Sequence, residues 1–316
     1  MPPSKKKPTA SGKTAAQTPG NTTVATPKQV GDLAWAGQHA KAIELATTTL
    51  AASRLSVSAR LDLLDLRAES FIAQGDLDRA GEDAAAMLVL AKTAKTPAFM
   101  AQALNRRALV ETRKGEFKAA MATATAALKA ARQSKRTPLI AMSLLRHAEA
   151  QFRGKPGEQV LRNAAEAADL FRASGDASGQ GRALWVTAMA RGHQGRAAAS
   201  NEAANEALRL CRSCGDMYGA GNALNMLTFH EADLAAQVKL VNLALAEFEA
   251  AGYVERQGIV TANLGIAYSQ LGLYRRARRL ILKADSIYRQ TGARASRGNV
   301  FNSLAEAELA MGHLDS

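Results

Sequence analysis

One feature constrains this chain above all others: it repeats itself every forty residues. Ala68, Ala108, Ala148, Ala188 and Thr228 are spaced by forty, and Gly265 and Ala305 continue the column after one interval of 37. A second column, Ala84, Ala124, Ala164 and Ala204, keeps the same period. Gly75, Gly115 and Gly195 fall in phase, as do Gly272 and Gly312 after the short interval. Lys155 takes that place in the unit carrying Pro156-Gly157. A fixed period of this size marks a stack of small supersecondary units, each burying its apolar face against its neighbours. The 316 residues therefore read as one repetitive domain rather than two ordinary ones.

Each unit reads as two helices. Around Gly115, a first helix runs from about Pro97 to Arg113, with Leu104 and Ala108 one turn apart on one face. Gly115 makes the turn, and a second helix carries Phe117, Ala120, Ala124, Ala127 and Leu128 on its apolar side. Small residues at fixed places let helix backbones approach closely. Composition agrees: the chain is 47% hydrophobic but only 5% aromatic, so its core draws on Ala and Leu, which favour helices. Pro97 and Pro138 fall at helix starts, where a missing N–H costs nothing. Gly175, Gly215, Gly252 and Gly292 close second helices. The expected fold is all-α, a right-handed α-solenoid of seven helix pairs plus one further helix. The first pair, with Gly37, Ala42 and Ile43, is the least regular. The unit around Thr228 is three residues short and has no Gly near Ala232 to Ala235, which predicts a tighter turn and a local irregularity.

The unit Thr261-Ala262-Asn263-Leu264-Gly265-Ile266-Ala267-Tyr268, followed by Gly272, Tyr274 and Ala277, resembles the Leu-Gly, Tyr, Gly, Tyr, Ala skeleton of tetratricopeptide repeats, in their forty-residue variety. The resemblance spans roughly Pro27 to Ser316. It implies helical hairpins whose first helices line a concave groove. Ala223-Leu224-Asn225-Met226-Leu227 also resembles the Ala-Leu-Asn-Asn-Leu signature of kinesin light chains and related adaptors. Those families hold an extended peptide on a ladder of groove asparagines, each amide offering both a donor and an acceptor.

Carried onto this chain, the resemblance places Asn105, Asn225, Asn263 and Asn302 in the groove, with Asn222 and Asn299 one turn earlier. Leu145 and Trp185 replace the asparagine in two units, which implies an apolar pocket there with Met142, Phe152 and Met189. Arg113, Arg153 and Arg182 stand where they could meet an acidic ligand.

Residues 1–28 differ from everything that follows: five prolines, five lysines and no acid predict a disordered basic tail ahead of a solenoid over 29–316. Ser11-Gly12-Lys13-Thr14 lacks the glycine and the strand of a phosphate loop. The net charge of +13 is concentrated in that tail and in segment 275–297, whose eight basic residues, with Arg275, Arg276, Arg278, Arg279 and Lys283 at their densest, face one acid, Asp285. The rest of the chain is close to neutral. The apolar stretch Ala84 to Ala91 is too short to cross a bilayer, so no membrane span is expected and a cytoplasmic location is. Two cysteines exclude a disulfide scaffold, and Cys211-Arg212-Ser213-Cys214 has no companion motif that would make it a metal or redox site. His39, His147, His193, His230 and His313 fall in different units and form no catalytic set.

The sequence thus predicts a non-catalytic module, needing no cofactor, that binds a protein or peptide segment, with oligomeric state open. The chain stops where the second helix of an eighth unit should begin, so the expectation is an N-terminal sensor or scaffold segment of a larger bacterial signalling protein. One alternative is a nucleic-acid or anionic-surface binder acting through the tail and the 275–297 patch. Another is the regulatory part of a cyclase or kinase whose catalytic domain lies beyond Ser316.

Overall fold

Fifteen α-helices follow one another along the residues described by the structure, a computed structural model covering 25–51, 54–292 and 294–312, without the side chains of 294–296 and 299. The first helices of the hairpins are α1 (Pro27–Trp35), α3 (Val57–Gln74), α5 (Pro97–Lys114), α7 (Thr137–Gly154), α9 (Ala177–His193), α11 (Met217–Thr228), α13 (Val254–Gln270) and α15 (Arg294–Ala310). The second helices are α2 (His39–Leu50), α4 (Leu77–Ala94), α6 (Phe117–Ser134), α8 (Glu158–Ala173), α10 (Ala197–Cys214), α12 (Leu234–Ala250) and α14 (Tyr274–Thr291). Each packs chiefly on its sequence neighbours, as a solenoid of hairpins requires. Most of the expected tail, residues 1–24, lies outside the described residues. Its last two residues, Pro27 and Lys28, open α1, which Thr26 and Gln29 start with a reciprocal capping box.

The two alanine columns lie where helices cross. Ala68, Ala108, Ala148 and Ala188 are buried, as are Ala84, Ala124, Ala164 and Ala204; Ala108 shares one core cluster with Ala124, and Ala148 and Ala188 share another with Ala164 and Ala204. Ala305 ends its column exposed, because no described helix follows α15 to cover it. Cys211 belongs to the same packing scheme: it is buried against Gly181 and Gly219, where a side chain would collide with its sulfur, and burial pushes its thiol up to about 12.

The unit around Thr228 departs from the expectation. Its missing residues come out of the helix rather than out of the turn. α11 has only 12 residues against 17 or 18 in α3, α5, α7, α9 and α13, and an extended connector, 229–233, joins it to α12.

The array also returns on itself, which the repeat pattern does not announce. The turn after α1 meets the turn after α12: Gly37 passes so close that a Cβ there would lie 2.2 Å from the Ala250 carbonyl oxygen, and one at Gly252 would lie 2.6 Å from the Gly37 oxygen. Gly75 packs against Thr291 in the same way, and Trp35 lies beside the Gly215 turn. His39, only 2% exposed, donates from Nε2 to the Ala251 carbonyl at 2.9 Å, and its Nδ1 accepts from the Ser70 hydroxyl at 3.2 Å. Gln74 donates to the Gly252 carbonyl, and the Tyr253 hydroxyl donates to Glu69. These bonds join residues 178 to 212 positions apart and close one turn of the solenoid.

Candidate binding site

Closure turns the groove into an interior. At one end of it lies a cavity of about 920 Å³, lined by the inward faces of α5, α7, α9 and α13 and by the turns that follow α3 and α14. Leu109, Trp185, Met189 and Ile259 give it apolar wall; Arg113, Arg153, Arg256 and Glu255 give it charge.

Four of the sequence-predicted groove residues line this cavity: Arg113, Arg153, Trp185 and Met189. The others go elsewhere. Leu145 is fully buried in the helix-packing core with Ala141 and Ala148, so it forms no pocket wall. Arg182 is held by Asp216 through two bonds, Nε at 2.8 Å and a second nitrogen at 3.1 Å, which neutralise it. Burial alone would raise the Asp216 carboxyl, but Arg182, Ser178 and the Gly219 amide hold it below its ordinary range. The same Asp216 caps α11, so one carboxylate fixes α9 to α11.

The asparagines do not form one continuous row. Asn105 is buried and neither polar atom of its amide has a partner among the described residues. Asn222 is buried and donates to the Tyr218 carbonyl of its own helix. Asn263 donates to Asn225 at 2.9 Å, a clasp between α13 and α11. Asn302 is exposed on α15, and the side chain of Asn299 lies outside the described residues.

Residues that the repeat pattern did not single out complete the interior. Tyr218 sits among three arginines: Arg182, Arg256 and Arg113 lie 5.1, 5.8 and 6.0 Å from its ring centroid, within cation–π range. Its hydroxyl accepts from Arg113 and from Arg256, the latter at 3.4 Å. Burial would raise its pKa, yet Arg113 and Arg256 outweigh burial and leave it at about 8. Arg106 pairs with Asp65 and Glu69, and Arg146 with Glu149. Arg106 and the Tyr253 hydroxyl overcome the desolvation of Glu69 and hold it far below the carboxylate range. The sequence signal for this network was the clustering of arginine and tyrosine at inward helix positions, visible only once the ring closes.

The basic cluster of segment 275–297 lies on the outer face of α14. Arg275, Arg276, Arg278, Arg279 and Lys283 are all exposed. Arg278 pairs with Glu308, and Arg276 lies 4.3 Å from the Tyr268 ring centroid. Arg275, Arg279 and Lys283 make no ion pair with the described residues.

Among the described residues no helix is long and apolar enough to cross a membrane. No family model and no curated protein matches the chain. Solved structures do. A Rap protein in complex with competence and sporulation factor is similar with a TM-score of 0.66 at 14% identity, covering 91% of this chain and 85% of that one. The apo form of RapI gives 0.59 at 10% identity over 84% and 99%. A Signal Transduction ATPase with Numerous Domains from Pyrococcus horikoshii, which has a tetratricopeptide repeat sensor, gives 0.53 at 12% identity over 87% of this chain and 43% of that one. At such identities the likeness is one of fold. The chain is a tetratricopeptide-like helical repeat array.

Proposed function

We propose that this chain is a non-catalytic binding module that holds a peptide or protein segment in the cavity inside its closed turn. The observation that carries this reading is the cavity itself. Its size is that of a ligand site, and its lining sets apolar anchors, Trp185 and Met189, beside convergent guanidinium groups. The fold is shared with a Rap protein that holds a bound factor, which supports ligand capture by an array of this shape. Asn225 and Asn263 lie outside the cavity lining and use one bond on each other, which leaves amide capacity for a segment extending beyond the cavity along α11 and α13. The tetratricopeptide sensor of the Pyrococcus ATPase supports placing the module as a sensor or scaffold segment of a larger signalling protein.

Selection of peptides from a displayed random library on the immobilised chain tests this. Enriched peptides should bind the wild type and lose at least tenfold affinity for Met189→Glu, which places a charge on the apolar wall. Failure to enrich any peptide, or binding indifferent to Met189→Glu, refutes the reading.

The exposed outer face of α14 favours a second reading, attachment to an acidic surface through Arg275, Arg279 and Lys283. Such binding would weaken steeply with salt, and it would be unmoved by Met189→Glu.

A further inference from the structure

Buried arginine in this protein normally comes with a carboxylate. Arg106 has Asp65 and Glu69, Arg182 has Asp216, and Arg146 has Glu149. Arg113 and Arg256 break that pattern, and the exposed Arg153 joins them at the cavity. None makes an ion pair with a described residue. Arg256 is only 6% exposed, and its Nε and that of Arg113 are buried with no acceptor. Their one shared partner is the neutral hydroxyl of Tyr218. Arg153 makes no hydrogen bond with a described residue and extends, exposed, into the cavity.

The nearest acids do not cancel this charge. Glu149 is bonded to Arg146 at 2.7 Å. Glu255 attracts Arg113 but forms no ion pair with it. Around the rest of the cavity, Asp76 pairs with Arg79, Asp78 with Lys114 and Arg289 with Asp285, leaving Glu116 at the rim. Desolvated cations with empty donors are costly unless something anionic completes them. Guanidinium groups offer paired N–H donors that match the oxygens of a carboxylate or phosphate.

We infer that Arg113, Arg153 and Arg256 form an oxyanion site that takes the carboxylate or phosphate group of the ligand entering the cavity. The site rests on the binding-module reading for its place in the cavity and adds the ligand's chemical class. Arg153 is the reaching donor. Arg256 lies 5.8 Å from the Trp185 ring centroid, so an apolar group beside the acid would meet Trp185 and Met189.

Calorimetric titration of the full chain with inorganic phosphate, and separately with succinate, at fixed ionic strength in chloride tests the site. At least one anion should bind saturably at one site, and the tighter of the two tells whether phosphate or carboxylate is the fitting group. Arg153→Gln should weaken it at least tenfold, while Arg209→Gln, at an exposed arginine paired with Glu206 on α10, should leave it within twofold. Glu149→Gln, which releases Arg146, should tighten binding at least twofold, so the proposal stays testable even if Arg153→Gln folds poorly. Absence of saturable binding by either anion, or equal binding by wild type and both interior variants, overturns the proposal. If both anions are silent while selected peptides still depend on Met189, the oxyanion site falls and the binding module stands. If the anions bind but no peptide is recovered, the module reading falls instead.

Discussion

Gly37 and Gly195 form a matched pair for testing whether the closed turn contributes to stability. Their φ angles are nearly identical, +72° and +73°, in the left-handed region. Alanine at either position carries the same backbone penalty, about 1 kcal/mol. The surroundings differ entirely. A Cβ at Gly195 meets nothing within 4 Å, whereas at Gly37 it lies 2.2 Å from the Ala250 oxygen and 3.2 Å from the Ala251 carbonyl carbon. Backbone cannot yield as a flexible side chain would, so Gly37→Ala has to open the seam. Opening releases the His39–Ala251, Gln74–Gly252 and Tyr253–Glu69 bonds. At about 1 kcal/mol for each, and more for the one to a carboxylate, the seam contributes on the order of 3 to 4 kcal/mol. Urea unfolding should therefore show Gly195→Ala down by about 1 kcal/mol and Gly37→Ala down by about 4 to 5 kcal/mol. Small-angle scattering should show an enlarged radius of gyration for Gly37→Ala alone. Equal losses with unchanged radii would refute the view that the seam holds the ring.

Three further outcomes follow from the same geometry. Burial holds His39 below its ordinary pKa of 6.5, against opposing contributions from the Ala251 carbonyl and Glu69, so its neutral form is the one the seam accommodates. Above pH 6.5 neither folded nor unfolded chain protonates it; below 6.5 the unfolded chain does first, so stability falls by up to about 1.4 kcal/mol per pH unit until the folded pKa is reached. The wild type should lose more than His39→Gln between pH 7.5 and 5.5 in urea midpoints. Tyr218 should titrate near pH 8 by phenolate absorbance, a phase absent from Tyr218→Phe and shifted upward by Arg113→Gln. Ala148→Leu, overpacking a fully buried column position, should cost about 1 to 3 kcal/mol by equilibrium unfolding.

The repeat was legible because it is local. Each hairpin needs small residues where its helices cross and a turn former where they reverse, so Ala68, Ala108 and Gly115 report their own environment. The positions of Pro97 and Pro138 at helix starts follow from the same local chemistry. The interior was legible only in part. Arg113, Arg153, Trp185 and Met189, which the tetratricopeptide resemblance carries onto the groove side of the first helices, line the cavity. Tyr218, Arg256 and Glu69 could not be placed, since their roles depend on partners up to 184 residues away. The ladder expectation treated each first helix as facing open solvent. Contacts between adjacent units instead take one bond of Asn263 to Asn225 and hold Arg182 on Asp216. The short unit is legible in the spacing, but a count of residues does not say whether helix or connector gives them up, and here it is the helix.

Closure changes what kind of object the array is. An open solenoid is a linear chain of neighbours, in which a unit can be added or removed with a cost that stays local. Here the Gly37 and Gly252 turns must arrive at the same place, so the number and pitch of the units between them are fixed by a boundary condition. The shortened α11 lies within that span and helps to set its pitch. Inserting or deleting one forty-residue unit between α2 and α12 would leave every hairpin intact and still destroy the seam. Folding inherits the same constraint: hairpins form from local contacts, but the ring forms only when residues 212 apart meet, so closure should be the late, slow step of an otherwise fast-folding chain.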